Sequence, residues 1–451
     1  MHERSVHVRT AVAVALLAAG IGCAAAAEEE AKPFVPPGLP AGLDWEFNLN
    51  AGVGVFGFAN SLYTNPKPDQ PSGDLSDNWW EGSIKPALGA TLTMENSSQL
   101  YGKASVVGER TYRTPPPLVG EEAASFDVED LYIGWRSGTS IGGGENVLDV
   151  KIGRAPFKIG NQMLIGDGGA EGGSRGGYWS GARKAFEMAG IATFHSGMHK
   201  VDVFYLDKNE LPESESKSKV WGANYELSLG EATTLGATYM TFSADPAVRQ
   251  ERDGLDVINV RAYTAPIPSL QALSFEAEYA QEDNGNFLDS TAYNLKVAYQ
   301  LETKWQPKIS YRYAFFEGDD PNTAKNEAFD GLFTGFSDWG DWWQGEIAGE
   351  YFVSNSNLIS HQLRVHTKPS EAISSGLIFY DFILDHPESA GVGITSDKAA
   401  REIDWYMDWS VNDNVLLSFV AAAAEPGKAV EQSSGRTDTF WYGMIFAAYS
   451  F

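Results

Sequence analysis

Cysteine is almost missing from this chain of 451 residues. The single Cys23 excludes an intramolecular disulfide framework and any multi-cysteine zinc site. Long apolar runs are missing too. A membrane-crossing helix needs about 20 consecutive apolar residues. Beyond the first 27 residues the longest largely apolar stretch, Val415–Ala424, is about half that, so a helical membrane bundle is excluded. Basic charge is scarce, with 33 Lys and Arg against 60 Asp and Glu, a net charge of −27. No basic face could outweigh so acidic a surface, which argues against a nucleic-acid partner. What the chain does have is glycine, 47 residues of it, and 12% aromatics. That composition fits a secreted or envelope protein.

The N-terminus reads as an export signal. Arg4 and Arg9 precede a short apolar core, Ala11–Ile21, and Ala25-Ala26-Ala27 offers a small-residue cleavage site before Glu28. Cleavage there removes two positive charges and one negative, taking the net charge to −28, and removes Cys23 as well. A competing reading makes Gly20-Ile21-Gly22-Cys23 a lipoprotein site, but Gly20 stands where leucine is usual. The expected organisation is therefore a signal peptide at 1–27, an N-terminal periplasmic segment at 28–43 and one domain at 44–451.

That domain alternates with period two. Ile403, Trp405, Met407 and Trp409 fall on one face, and Glu402, Asp404, Tyr406 and Asp408 on the other. Tyr293, Leu295, Val297 and Tyr299 oppose Asn294, Lys296 and Gln300; Leu131, Ile133 and Trp135 oppose Asp130, Tyr132 and Arg136. Side chains of a strand alternate in this way. A soluble sandwich would alternate too, but three features point to a transmembrane β-barrel. The apolar faces are aromatic, as interfacial girdles require. Short turns (Glu95–Ser98, Ser196–His199, Leu229–Glu231, Val411–Asn414) alternate with long polar or Gly-rich loops (59–81, 114–123, 155–183, 386–399). The last strand, Trp441–Phe451, ends on an aromatic residue.

Marking every alternating segment gives roughly 19 strands, and a barrel with both ends in the periplasm needs an even number. The excess lies between Gly318 and Lys368. Assigning 318–355 mainly to one outer loop leaves an all-β, antiparallel transmembrane barrel of about 18 strands, with short periplasmic turns and long outer loops. A barrel of that size encloses an aqueous channel unless a loop plugs it.

With the apolar face toward lipid, the lumen collects Arg136, Lys151, Lys296, Lys308, Ser310, Arg312, Gln362, Arg364 and His366, with Glu276, Glu278, Asp404 and Asp408. Basic side chains in a pore focus a field on whatever threads it. The Gly-rich stretch from Gly153 to Arg183 is about 30 residues long, unusual for a structureless loop. Folded inward, it would narrow the bore and present Arg154, Lys158, Arg175 and Arg183 to the solute. Asp167 and Glu171 within it are candidates for holding calcium, though no calcium-binding repeat is present. Otherwise no metal or cofactor is expected.

These residues carry a family likeness. Tyr311–Phe316 followed by Gly318–Pro321, Phe329–Phe333, Trp339-Gly340, Gln344–Ile347 and Ser356–Leu358 are similar to the alginate-export family of outer-membrane porins. Ile152–Arg154, Arg175–Trp179 and the closing strand resemble it as well. The resemblance implies an 18-stranded channel passing an anionic polysaccharide through an arginine-rich constriction. Carried over by position, Arg154, Arg175, Arg312 and Arg364 would contact uronate carboxylates, with Arg110, Arg136 and Arg183 as further candidates. A guanidinium fork pairs bidentately with a carboxylate and stays charged. Partners implied are the polysaccharide, outer-membrane lipid and lipopolysaccharide, and periplasmic export partners. The acidic excess would sit on outer loops such as Glu282–Asp289 and Glu317–Asp330, away from the polyanion.

Three other classes compete, one of them a soluble secreted adhesin or structural β-protein, against which the barrel features above argue. A porin importing small anions shares every feature above. A barrel enzyme needs a nucleophile beside a base, and only His195-Ser196 and Ser360-His361 offer adjacent candidates. Neighbours on a strand face opposite ways, so neither pair makes that contact.

Overall fold

The computed structural model describes residues 42–61, 76–113, 122–142, 144–230, 233–264, 272–285, 287–335, 339 and 344–451. The expected signal peptide and most of the expected periplasmic segment lie outside these residues. The strands are β1 (Leu43–Ala59), β2 (Asp77–Thr93), β3 (Gln99–Tyr112), β4 (Ala123–Arg136), β5 (Leu148–Arg154) and β6 (Met188–Ser196). Then come β7 (His199–Asp207), β8 (Lys219–Leu229), β9 (Thr233–Ser243), β10 (Asp256–Thr264), β11 (Leu273–Asn284) and β12 (Leu288–Gln300). The last six are β13 (Lys308–Phe316), β14 (Leu358–Ser370), β15 (Ile373–Ile383), β16 (Lys398–Asn412), β17 (Val415–Pro426) and β18 (Phe440–Ser450).

All 18 strands form one antiparallel sheet of sequential neighbours that closes through β1 and β18. The expected architecture and strand number are what is found. The seam runs from Asn50↔Ser450 to Ala59↔Trp441. Phe451 extends it, its backbone exchanging hydrogen bonds with Leu49 at 2.9 and 3.0 Å. Closure leaves no unpaired edge, which the hydrocarbon core requires.

Alternation decides which face is which. Ile84, Ile133, Val203, Leu295, Leu363, Ile403 and Ile445 point outward and are exposed, as befits side chains that meet lipid. Outward aromatics gather at the two ends of the wall. Trp80, Tyr112, Trp221 and Trp441 lie toward one rim; Phe47, Tyr225, Tyr299 and Trp409 lie toward the other. The second rim carries short connections such as 94–98, 197–198 and 413–414, and is the periplasmic one. The long connections 155–187 and 317–357 leave from the outer rim.

The long loop expected over 318–355 is present as 317–357, between β13 and β14. Its alternating stretch 345–352 contains a short helix, α1 (Ala348–Tyr351), instead of a strand. A second helix, α2 (Lys428–Ser434), joins β17 to β18.

Period two fails at one informative place. The β3–β4 register shifts between Ala104 and Val106, so Glu129 and Asp130 together oppose Ser105. This bulge turns two consecutive carboxylates into the interior, both buried. Ser105 Oγ donates to Asp130 at 2.7 Å, and Lys85 lies 3.5 Å from Glu129 and 3.2 Å from Asp130.

Candidate functional site

The barrel interior is the candidate site, and two loops occupy it. The first inner loop (155–187) leaves β5 and turns into the bore, where inward carboxylates of the wall hold it. Glu81 of β2 accepts the N–H groups of Trp179 (2.9 Å) and Ser180 (3.0 Å). Glu129 of β4 accepts those of Lys184 (2.6 Å) and Ala185 (2.9 Å). Glu109 of β3 pairs with Arg183 at 2.8 Å, and Thr111 accepts from Gly177 N–H at 2.8 Å. Only glycine fits at 177. Its φ is +73°, and a Cβ there would lie 2.5 Å from Glu109 Oε1. Farther along the wall the same loop reaches β10 and β12. Asn161 N–H donates to the Tyr263 hydroxyl (3.0 Å), and Met163 Sδ lies 3.5 Å from Asn294 Nδ2.

The second inner loop (317–357) comes from the far wall and meets the first. Phe333 accepts from Gly166 N–H (2.8 Å) and Asp167 N–H (3.1 Å), its own N–H donates to Leu164 O (3.0 Å), and Gly335 N–H donates to Gln162 O (3.0 Å). The Phe333 ring is buried against Phe186 and Phe242, with Lys208 5.3 Å and Arg252 5.6 Å from its centroid. Wall carboxylates anchor this loop as well. Glu402 accepts from Ile347 and Ala348 N–H at 2.7 Å each, and Glu282 from Asp330 N–H at 2.8 Å. Trp339 stacks on Tyr406 at 5.2 Å and donates its Nε1–H to Asp408 at 2.8 Å. Trp179 and Trp339, one from each loop, come to 6.3 Å.

This arrangement corrects the expected place of one acidic residue, Glu282. Glu282 is not an outer-loop charge but a buried inward residue of β11. Together with Glu81, Glu109, Glu129, Glu402 and Asp404 it faces the interior, and these groups hold backbone N–H groups of the two loops. A carboxylate is acceptor-only and charged, which suits it to bind paired N–H groups in a crowded interior.

The basic candidates separate into groups. Arg312 is inward and buried, 3.4 Å from Glu276, which also pairs with Lys296 at 3.0 Å. Arg364 is inward, its Nε donating to the Tyr406 hydroxyl at 2.9 Å with the guanidinium 5.3 Å from that ring. Lys308 stands at the periplasmic end of β13 in register with His366. Arg136 faces inward at the periplasmic end of β4, paired with Asp149 at 2.8 Å. Lys158 lies exposed on the first inner loop and pairs with no carboxylate among the described residues.

Four candidates do not present themselves to a solute. Arg110 lies on the outward row of β3 because the buried Glu109 beside it points in, and it pairs with Glu122 at 3.3 Å. Arg154 is in register with the lipid-facing Leu131 and pairs with Glu187 at 2.9 Å. Arg175 directs its guanidinium to carbonyls of the loop junction: Ala170 (3.0 Å), Asn209 (3.2 Å) and Glu210 (2.8 Å). Arg183 is 1% exposed and bridges Glu109 and Asp127 (3.0 Å). Both inner-loop arginines therefore hold the loop in place.

Asp167 and Glu171 do not fit a calcium ion. Asp167 pairs with Lys184 at 2.6 Å, and Glu171 accepts Arg183 N–H at 2.7 Å. Burial pushes the Glu171 carboxyl well above its ordinary range, with the Lys184 charge opposing. A calcium site needs six to eight oxygens around the cation; here an ammonium sits among them. Burial likewise lowers the Arg175 guanidinium, and brings the Lys208 ammonium down to about 8.

Several interior groups carry no sequence motif. Arg261 of β10 is buried, donating to Thr238 (2.9 Å), Asn259 (3.1 Å) and Glu226 (2.8 Å). Tyr101, Lys103 and Tyr132 line the periplasmic part of β3 and β4. Their inward row follows from the exposed Leu100 and Leu131 beside them.

A closed barrel with a lipid-facing apolar band and a charged interior narrowed by loops defines a channel of the bacterial outer membrane. The profile of the Alginate export family matches residues 76–443. The chain belongs to that family, whose barrels are channels and not enzymes. Among solved structures it is similar to three Pseudomonas aeruginosa proteins, OccK8 (OprE), OccK5 (OpdH) and OpdQ. Their TM-scores are 0.58, 0.56 and 0.56, at 10%, 11% and 13% identity. Each comparison covers 90% of this chain and 98%, 98% and 99% of the other. At such identity the likeness concerns the fold, that of outer-membrane porins. No curated protein matches the sequence.

Proposed function

We propose that this channel passes an anionic uronate polysaccharide of the alginate kind outward across the outer membrane. The observation that carries the reading is the inward basic series Lys103, Lys151, Arg261, Lys296, Arg312 and Arg364, set in a chain whose net charge is −27. Of these, Lys103 and Lys151 are partly exposed, while Arg261, Lys296, Arg312 and Arg364 are buried on the inner side of the wall, and many carboxylates are occupied as loop anchors. Charges inside a low-dielectric wall act over longer range than charges in water. Membership in the Alginate export family supports the same substrate class.

Liposome swelling tests it. Uronate oligomers should enter faster than neutral oligosaccharides of equal size, and the preference should shrink when Arg312 and Arg364 become Ser. Equal rates, unchanged by those substitutions, would remove the charge-selective reading.

A second reading, uptake of small anionic sugars, is favoured by one observation. The inner loops hydrogen-bond to each other within the bore through Phe333 and are fixed to the wall at many points. Rigid loops suit a small solute. A sharp fall in swelling rate beyond a monosaccharide or disaccharide, for acidic and neutral sugars alike, would favour it over the polymer.

A further inference from the structure

Most inward cations of this barrel are matched by a carboxylate. Lys85, Arg183, Arg261, Lys296 and Arg312 all have one within ion-pair distance. Lys103 and Lys151 are different: among the described residues neither has a carboxylate within that distance, and both are partly exposed. They face the bore below the first inner loop, on neighbouring parts of the wall. Lys103 is in register with Tyr132, Tyr132 with Gly153, and Gly134 with Lys151.

Two tyrosines seat the cations of this patch. The Lys151 ammonium lies 5.2 Å from the Tyr132 ring centroid, and the Arg136 guanidinium 4.4 Å from that of Tyr101. Tyr101 lies flat against Gly134; a Cβ at 134 would be 2.3 Å from Tyr101 Cζ. With one ring face covered by glycine, the other receives the guanidinium. Asp149 fixes the pair from below by accepting Arg136 Nε–H at 2.8 Å and the Tyr101 hydroxyl. Across the barrel Tyr406 also covers Gly376, and there its hydroxyl accepts from Arg364 Nε at 2.9 Å. A cation held on a ring has less rotamer freedom to lose when an anion binds. The patch also touches the constriction, because Lys151 Nζ donates to Pro156 O at 3.4 Å.

We propose that Lys103, Arg136 and Lys151, the last two seated on Tyr101 and Tyr132, form the docking site where a uronate chain first engages the channel from the periplasm. This rests on the polyanion reading above. The chemistry is that of ammonium and guanidinium groups meeting successive carboxylates. Each contact is water-exposed and therefore weak, so the chain is captured yet still slides.

The test is current block of the full-length protein in planar bilayers, with alginate oligomers added to one side at a time. Wild type should be blocked more readily from the periplasmic side. In Lys103→Gln/Lys151→Gln the blocking constant from that side should rise about tenfold, and Lys103→Arg/Lys151→Arg should restore it. The outer-loop control Lys217→Gln should change nothing. Periplasmic-side block equal to wild type in the Gln pair would overturn the docking site and leave the polyanion reading standing. No block of wild type from either side would overturn that reading, and the docking site with it.

Discussion

Arg183 offers the sharpest test of whether the inner-loop arginines anchor the loop or contact the solute. Its side chain is 1% exposed and bridges Glu109 at 2.8 Å and Asp127 at 3.0 Å. Replacing it with Met keeps the volume and removes the charge, leaving the buried Glu109 uncompensated near Glu81. Breaking a buried ion pair by removing one partner costs about 3–5 kcal/mol. Some of that is recovered if the loop lifts away and lets water reach the carboxylates. At 1.4 kcal/mol per tenfold, the open-to-seated ratio of the loop would rise by about 10²- to 10³-fold. Single-channel recording should then show larger or flickering current in Arg183→Met, with Arg183→Lys in between. Heat-dependent gel mobility checks that the barrel has formed. A solute-contacting arginine predicts the opposite: steady wild-type current with reduced anion preference. That outcome would refute the anchoring assignment and return Arg183 to the constriction.

Three further outcomes follow from particular residues. Deleting Phe451 removes both backbone hydrogen bonds with Leu49, about 1–3 kcal/mol at the closing seam; the heat-modifiable fraction should fall, and an unchanged fraction would contradict the role given to this residue. Arg110→Ser should leave anion selectivity as it is, because the side chain faces outward and pairs with Glu122, whereas Arg312→Ser should reduce it; reversal potentials compare the two. Burial lowers Lys208 from its ordinary 10.5 to about 8. Folding therefore bears the cost of a buried ammonium at neutral pH, and that cost is relieved as pH rises from about 8 to 10.5. Protease protection of the loop junction should increase across that window in wild type and stay flat in Lys208→Met. A decrease would reverse the sign.

The fold was legible because a lipid-facing barrel wall obeys one rule over its whole length. Residues such as Leu295, Ile403 and Trp405 mark the outward row, their neighbours Lys296 and Glu402 the inward one, and parity fixes 18 strands. The rule fails where hydrogen bonding overrides the period. The bulge opposite Ser105 turns in both Glu129 and Asp130, and the stretch around Ala348 winds into a helix because Glu402 accepts its first N–H groups. The site was less legible. Arg175 and Arg183 have the residue type and loop position of solute contacts, yet partners distant in sequence, Asn209 for one and Glu109 for the other, determine their role. Lys103 and Lys151 stand out only when the ion pairs of their neighbours can be compared. Gly134 hints at the Tyr101 seat, since a glycine in a strand interior often marks a close approach.

The central claim is that cations set inside an acidic barrel govern what passes. The zero-current potential of the purified full-length protein in a planar bilayer under a KCl gradient tests it most directly. A potential of the sign set by chloride permeation is predicted, with a shift toward zero when Arg312 and Arg364 become Ser. A potential of the sign set by potassium permeation, unaffected by those substitutions, would show that the overall negative charge prevails, in contradiction to the account.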